Sequence, residues 1–350
     1  MTMSNRLINI LVPVVSIILG LLVGAVVMLV SGYDPVAGYI ALWNGIFGDA
    51  YAIGETIRQI SPYILAGLAV AFAFRTGLFN IGVEGQLIVG WFAAAYVGMA
   101  VELPKFIHLP LALLAAAAAG ALWGLIPGLL KATLKVHEVI VTIMMNYIAL
   151  HLVNALIKVV AKGGFKTDKI QDTASLRSDF LSELTDFSTL HYGIFIALFM
   201  VFIMWFILER MKLGYELKSV GFNENAAQYA GMSVKKNIIM AMVISGAFAG
   251  LAGAMEALGT FGNMSSRAGF TGIGFDGIAV ALLGANTPLG VVFGASLFGS
   301  LKYGANNMPN AADIPIEIVS IVIALIIFFV ASGYIIRVGL QRISKRKEAK

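Results

Sequence analysis

LINILVPVVSIILGLLVGAVVMLV, from Leu7 to Val30, runs without one charged side chain and follows a single base, Arg6. A helix needs about 20 apolar residues to cross about 30 Å of hydrocarbon, and this run is long enough. A cleavable leader has an apolar core of about 7–15 residues and a small-residue cleavage site. The run is longer than that and has no such site, so it reads as a first span entering from the cytoplasm. The composition of the whole chain agrees with it. Of 350 residues, 59% are hydrophobic and only 12% are charged, about half the charged share of a soluble domain. The mean hydropathy is +0.89. Charges this sparse cannot coat a water-soluble surface, and the composition also excludes disorder, collagen, coiled coil and a secreted disulfide scaffold. There is no cysteine, so disulfides and thiolate metal sites are out. The chain reads as an all-α polytopic membrane protein.

Nine further candidate spans follow: 59–75, 86–101, 109–131, 138–161, 192–208, 237–258, 275–284, 288–304 and 315–337. The segment 275–284 is too short to cross alone. Alternation from a cytoplasmic N-terminus puts both termini inside, and the bases test this independently. Arg6, Arg75, Lys131, Lys135, five bases in 209–236 and six in 337–350 all fall on the inner side. The outer loop instead collects Asp168, Asp172, Asp179, Glu183 and Asp186. Positive charge inside is what membrane insertion selects. We expect one transmembrane domain over 1–350: a first half to about 161, an outer loop 162–191, a second half from about 192 to 337, and a basic cytoplasmic tail 338–350. Five spans per half is an odd number, so the halves are expected to be inverted.

In each half the second span runs into a glycine-rich interruption, TGLFNIGVEG (76–85) in the first and GTFGNMSSRAGFTGIG (259–274) in the second. Paired interruptions at corresponding positions point to a midplane pathway in inverted-repeat transporters; ordinary hairpin loops rich in glycine are the competing account. On the first account Phe79, Asn80, Gly82, Glu84 and Gln86 line the solute path from one half, and Phe275, Asp276 and Asn286 from the other. Asn80, Glu84 and Gln86 can offer hydrogen bonds to a polar solute. Glu84 can alternatively pair with Arg75 across the turn. No cluster of bases lies at membrane depth, so a neutral polar solute fits better than an anion.

Catalytic signatures are missing. There is no G-x-x-x-x-G-K-[ST] loop to cradle ATP phosphates, no H-E-x-x-H and no G-x-S-x-G, so no catalytic residue, metal or cofactor is expected. The basic character (pI near 9.3) comes largely from the tail, which reads as an anchor on anionic lipid and not as a nucleic-acid surface. Two glycine sets, Gly120, Gly124 and Gly128, and Gly246, Gly250 and Gly253, each mark one helix face and read as helix-packing surfaces.

The longest inner segment, 209–236, holds NENAAQYAG (Asn223–Gly231). Asn223 is a good N-cap, Glu224 suits the first-turn dipole, and Gly231 suits the left-handed position after a helix. A helix of about seven residues does not persist alone in water. It is expected to dock on a partner through Ala226, Ala227, Tyr229 and Ala230.

FNIGVEGQ (79–86), GYELKSVGFNENAAQYAGMSVKKN (214–237), ISGAFAGLAGAMEALGTF (244–261) and GFDGIAVALLGANTPLG (274–290), taken together, resemble the permease subunits of bacterial ABC importers. The group is the branched-chain amino acid and simple-sugar permease superfamily. Within it, VHEVIVTIMMNYIALH (136–151) and the run from Ala41 to Gln86 are similar to nucleoside, guanosine-type permeases. The resemblance implies a type II-like importer fold in the plasma membrane. It also implies two permease chains, the same or different, two cytoplasmic ATPase subunits, and an extracellular lipoprotein that captures the solute. By motif, Gly214, Gly221, Asn223, Ala226, Ala227 and Gly231 match the loop that couples such permeases to the ATPase. A permease for a simple sugar or a branched-chain amino acid is the sister reading. An ion-coupled secondary transporter, with Glu84 as its titrating carboxylate, is the reading from another class.

Overall fold

Charge-free stretches can satisfy their backbone groups in hydrocarbon only by becoming helices, and the computed structural model is built from them. It describes residues 5–333, with side chains over 15–329; the tail 338–350 and the end of the last expected span lie outside the described residues. In chain order the helices are α1 (Asn5–Val30), α2 (Pro35–Phe47), α3 (Ala50–Arg75), α4 (Val83–Ala100), α5 (Lys105–Leu134), α6 (Glu138–Val160), α7 (Asp179–Leu184), α8 (Gly193–Arg210), α9 (Lys212–Phe222), α10 (Glu224–Tyr229), α11 (Val234–Ala254), α12 (Ile273–Leu283), α13 (Pro288–Gly304), α14 (Met308–Ala312) and α15 (Ile316–Ala331). A π-turn, Met255–Phe261, continues α11. Among the described residues, extended pairing is limited to the isolated bridges Lys166–Ser265 and Arg177–His191. Among the described residues, six helices are long and apolar enough to cross a membrane: α3, α4, α5, α6, α8 and α11 with its π-turn. The fold is all-α and polytopic.

Helices α2 and α9 and the five-residue α14 were not expected. Asp34 caps α2 by accepting from the Val36 amide (2.8 Å), with Pro35 at the first helical position. At 13 residues, α2 falls short of a span and escapes a search for spans. Helix α9 has no side-chain cap and lies in a charged segment. Its signal is amphipathic: Gly214, Leu217 and Val220 recur every third residue and are the buried ones.

The chain divides into two compact units, one of residues 57–299 and one combining 1–56 with 300–350. In the latter, α1 packs along α15, and the Asn307 side chain donates to the Ala41 carbonyl of α2 (3.0 Å). In the unit 57–299, Ser61 to Ala73 of α3 are buried without exception, so this part of α3 is enclosed by protein on every face. Helix α5 is the opposite case. Its buried residues His108, Ala112, Ala116, Gly120, Gly124, Gly128 and Ala132 recur every fourth position, a narrow seam on an otherwise exposed helix. That seam lies on α11. A Cβ at Gly120 would collide with the Gly246 carbonyl, and one at Gly250 with the Ala116 carbonyl. The two glycine sets read from the sequence therefore face each other, which lets the backbones approach as small residues do between membrane helices.

Candidate functional site

Both interruptions occur where the sequence placed them: residues 76–82 separate α3 from α4, and 262–272 separate the π-turn from α12. They meet at Glu84. This side chain is fully buried, and Oε1 accepts from the Thr271 amide (2.5 Å), the Thr271 hydroxyl (2.7 Å) and the Gly272 amide (3.1 Å). Its Oε2 accepts from the Gly274 amide (2.7 Å). These amides belong to the start of α12, whose first N–H groups have no partner within the helix, and Gly272 at the N-cap has no side chain to serve them. A carboxylate from the other half of the chain caps α12 instead, and the helix dipole favours its charge.

The expected pairing of Glu84 with Arg75 is therefore corrected. Arg75 bonds Glu209 (2.6 Å), and Lys218 of α9 takes the second Glu209 oxygen (3.0 Å). The reason is direction. Arg75 ends α3 on the exposed rim, whereas Glu84 turns inward in the first turn of α4.

The other residues of the first interruption join the same construction. Asn80 is buried and donates to Gln86 Oε1 (2.9 Å) and Ser245 Oγ (2.8 Å), while its own Oδ1 accepts from the Gly82 amide (2.9 Å). Ser245 passes the chain on to the Ala69 carbonyl (2.6 Å). Asn146 of α6 accepts from the Gly85 amide (2.8 Å) and donates to the Ile81 carbonyl (3.0 Å). Phe79 packs on Phe74, with ring centroids 4.8 Å apart. Asn80 and Gln86 thus face protein partners, and their bonds brace the turn from three neighbouring helices. Asn146, Ser245 and Thr271 were missed in the sequence. A polar residue inside an apolar run was the available signal for the first two.

On the second side, Phe275 meets Phe270 edge to face (5.4 Å), and Asp276 accepts from the Tyr63 hydroxyl of α3 (3.2 Å). Asn286 stands apart. It lies in the left-handed turn beyond α12 (φ 55°), at the opposite end of that helix from the Glu84 cap.

The coupling segment is tied to the first interruption. Gly221, near the end of α9, lies so close to the Thr76–Gly77 turn that a Cβ at either Gly221 or Gly77 would strike the other's backbone. Gly214 lies likewise against Ile207 and Leu208 of α8. Asn223 caps α10 by accepting from the Ala226 amide (3.0 Å), and Gly231 takes φ 81°, as read from the sequence. One expectation fails. Ala227 is 4% exposed and faces inward, so it is not part of an outward surface. The exposed groups are Ala226, Tyr229 and Ala230, as expected, together with Phe222, the two aromatics at 94% and 90%. Three to four residues per turn place Ala226 and Ala227 on different faces, and the Met232 amide closes onto the Ala227 carbonyl.

Residues 52–331 match the family model described as the permease component of branched-chain amino acid transport systems. The chain belongs to this permease family. It is 63% identical to the guanosine ABC transporter permease protein NupP of Bacillus subtilis (strain 168), over 98% of this chain and 99% of that protein. It is 41% identical to the nucleoside ABC transporter permease protein NupB of Lactococcus lactis subsp. cremoris, over 97% and 95% respectively. A second Bacillus subtilis protein, the guanosine ABC transporter permease protein NupQ, is 30% identical over 75% of this chain and 85% of its own length. The permease is thus a transport subunit of a multi-pass membrane system, which agrees with the family resemblance of its four ordered motifs.

Proposed function

We propose that this permease forms part of the path of a nucleoside ABC importer, with ATP hydrolysed on separate cytoplasmic subunits that dock at α9–α10. The nucleoside assignment is carried by one observation, the near full-length identity to permeases named for guanosine and nucleosides. The coupling assignment has independent support. Two aromatic side chains, Phe222 at the end of α9 and Tyr229 at the end of the capped α10, stand almost wholly in solvent, and together they suit a partner surface. A groove of 580 Å³ beside them is lined by Phe74, Arg75, Gly77, Tyr215, Lys218 and Phe222. A push on α10 passes through rigid α9 and the Gly221–Gly77 contact into the first interruption, and from there through Glu84 to α12. The charge distribution supports cytoplasmic termini, since the segments read as inner hold most of the bases.

The second permease chain of the importer is a different but related protein. Two Bacillus subtilis guanosine permeases match this chain at very different identities, 63% and 30%, as expected when the two positions of a pair have diverged. An extracellular lipoprotein delivers the solute. Residues 76–86 and 275–286 belong to the walls of the path, in two inverted halves of one transmembrane domain.

Uptake of labelled guanosine, with adenosine, cytidine, ribose and leucine as competitors, tests the substrate class in a strain lacking other importers. Nucleosides should compete and ribose and leucine should not. Competition by leucine or ribose alone would move the permease to a sister subfamily. Phe222→Asp with Tyr229→Asp should leave membrane insertion intact while abolishing both co-purification of the ATPase and uptake.

A further inference from the structure

Between Trp91 and Glu84 the chain does something that lipid forbids. The non-helical segment 262–272 descends beside α4. Asn263 accepts from Trp91 Nε1 (3.1 Å), the Arg267 guanidinium lies 4.5 Å above the Trp91 ring, and Thr271 and Gly272 reach Glu84. Beside α6 it follows the same course. Asn154 holds the Arg267 backbone at both ends, accepting from its amide (3.0 Å) and donating to its carbonyl (2.8 Å), and Phe270 meets Tyr147 edge to face at 5.0 Å. Trp91 to Glu84 and Asn154 to Tyr147 are each seven residues, about 10 Å of helix rise. Both pairs fall within apolar helices long enough to span. The segment therefore runs at membrane depth.

Backbone N–H and C=O groups facing hydrocarbon each cost several kcal/mol when unpaired, so irregular backbone at that depth occurs only where it lines water or is covered by protein. The flanks of this segment are satisfied by Asn154 and Glu84. Its middle is not: the amides and carbonyls of Ala268, Gly269 and Phe270 make no hydrogen bond among the described residues. Ala268 and Gly269 are exposed, and nothing lies within 4 Å of a Cβ built at Gly269. Arg267 Nε is also without a hydrogen bond, and the Tyr147 ring is half exposed.

We infer that residues 267–270, together with Tyr147, form a solute-contact site on the wall of the transport path, and that its ligand is the base of a nucleoside. This rests on the importer reading above. Consecutive backbone donors and acceptors match the hydrogen-bonding edge of a base, and an exposed aromatic ring beside them offers a face for stacking, which contributes about 1–3 kcal/mol per base. A sugar or an aliphatic amino acid has no flat π face to use the ring. The site also adjoins the Glu84 cap, so movement of α12 repositions it directly.

Because the chain has no cysteine, single cysteines report cleanly. The assembled importer carrying Ala268→Cys or Gly269→Cys is treated in proteoliposomes with a small hydrophilic methanethiosulfonate reagent. Phe180→Cys, 69% exposed and away from the docking surface, serves as the exposed reference and Leu122→Cys as a lipid-facing one. Both site cysteines should react, lose guanosine uptake when modified, and be protected. Guanosine at about ten times its half-saturating concentration should slow labelling about tenfold, as site occupancy requires. Labelling absent like that of Leu122→Cys, or labelling indifferent to guanosine in an importer that still transports it, would each overturn the site. Failure of the unmodified importer to take up guanosine would instead overturn the substrate reading, while the accessibility of residues 268 and 269 would still decide whether the segment lines the path.

Discussion

Glu84 accepts four hydrogen bonds from residues 187 to 190 positions further along the chain. A buried carboxylate is tolerated when donors replace its water, and here three backbone amides and one hydroxyl do so. In Glu84→Gln one accepting oxygen becomes an NH₂ that faces donors, leaving at least one buried group unpaired at about 1–3 kcal/mol. We expect a lowered midpoint in thermal unfolding of the detergent-solubilised protein and a loss of uptake larger than that of Thr271→Val, which removes one hydroxyl donor only. Unchanged stability in Glu84→Gln would mean that Glu84 does not hold the two interruptions together. The neighbouring Arg75–Glu209–Lys218 group lies on an exposed rim, where ion pairs are worth about 0–1 kcal/mol. Glu209→Gln should accordingly leave the unfolding midpoint nearly where it was.

At the scale of helices, two features carry testable consequences. The seam between α5 and α11 has no room for side chains at Gly120 and Gly250, whereas Leu122 on the same helix is 64% exposed. Gly120→Leu should separate the two helices and abolish accumulation of folded protein in the membrane, and Leu122→Ala should be tolerated; equal expression of the two variants would remove the seam from the account. Helix α10 depends on its cap. Replacing an N-cap Asn with Ala costs about 1 kcal/mol, a large share for six residues. Asn223→Ala should speed amide exchange across α10 and lower the ATP-driven uptake rate without changing insertion. Exchange at the parental rate would show that contacts through buried Ala227, rather than the cap, hold the helix.

For the molecule as a whole, sidedness is the decisive property. On the proposed orientation the segments holding most of the bases are inside and the acidic loop is outside, so a cysteine at Gln228 should resist an impermeant thiol reagent in intact cells and react in inverted vesicles. One at Phe180, which is 69% exposed in the outer loop, should do the reverse. The outer loop is more than a connector. Its Thr167 and Ile170 amides bond the Met264 and Gly262 carbonyls (2.9 Å each), and the Leu176 amide bonds the Leu258 carbonyl (2.9 Å). Arg177 adds bonds to the Gly259 and Thr260 carbonyls. The loop thus braces the upper end of the second interruption, as α9 braces the lower side of the first.

Apolar length and the scarcity of charge were sufficient for the all-α polytopic class, because hydrocarbon accepts only helices that satisfy their own backbone groups. Local chemistry was also sufficient for the cap at Asn223, the left-handed Gly231, the positions of both interruptions and the packing role of the two glycine sets. Each of these depends on residues a few positions apart. What a carboxylate does depends on which backbone arrives beside it, and that is where sequence ran out. Local spacing offered Arg75 to Glu84, but folding brought the first turn of α12 from 187 positions away. Asn80 and Gln86 were read as groups offered to a solute, and the fold bonds them to each other and Asn80 also to Ser245 and Gly82, while Ala227 looked outward until the turn at Met232 closed over it. Only the tertiary structure could put the unpaired backbone of residues 268–270 at membrane depth, since depth is set by the neighbours Trp91 and Asn154 and not by any property of Ala-Gly-Phe itself.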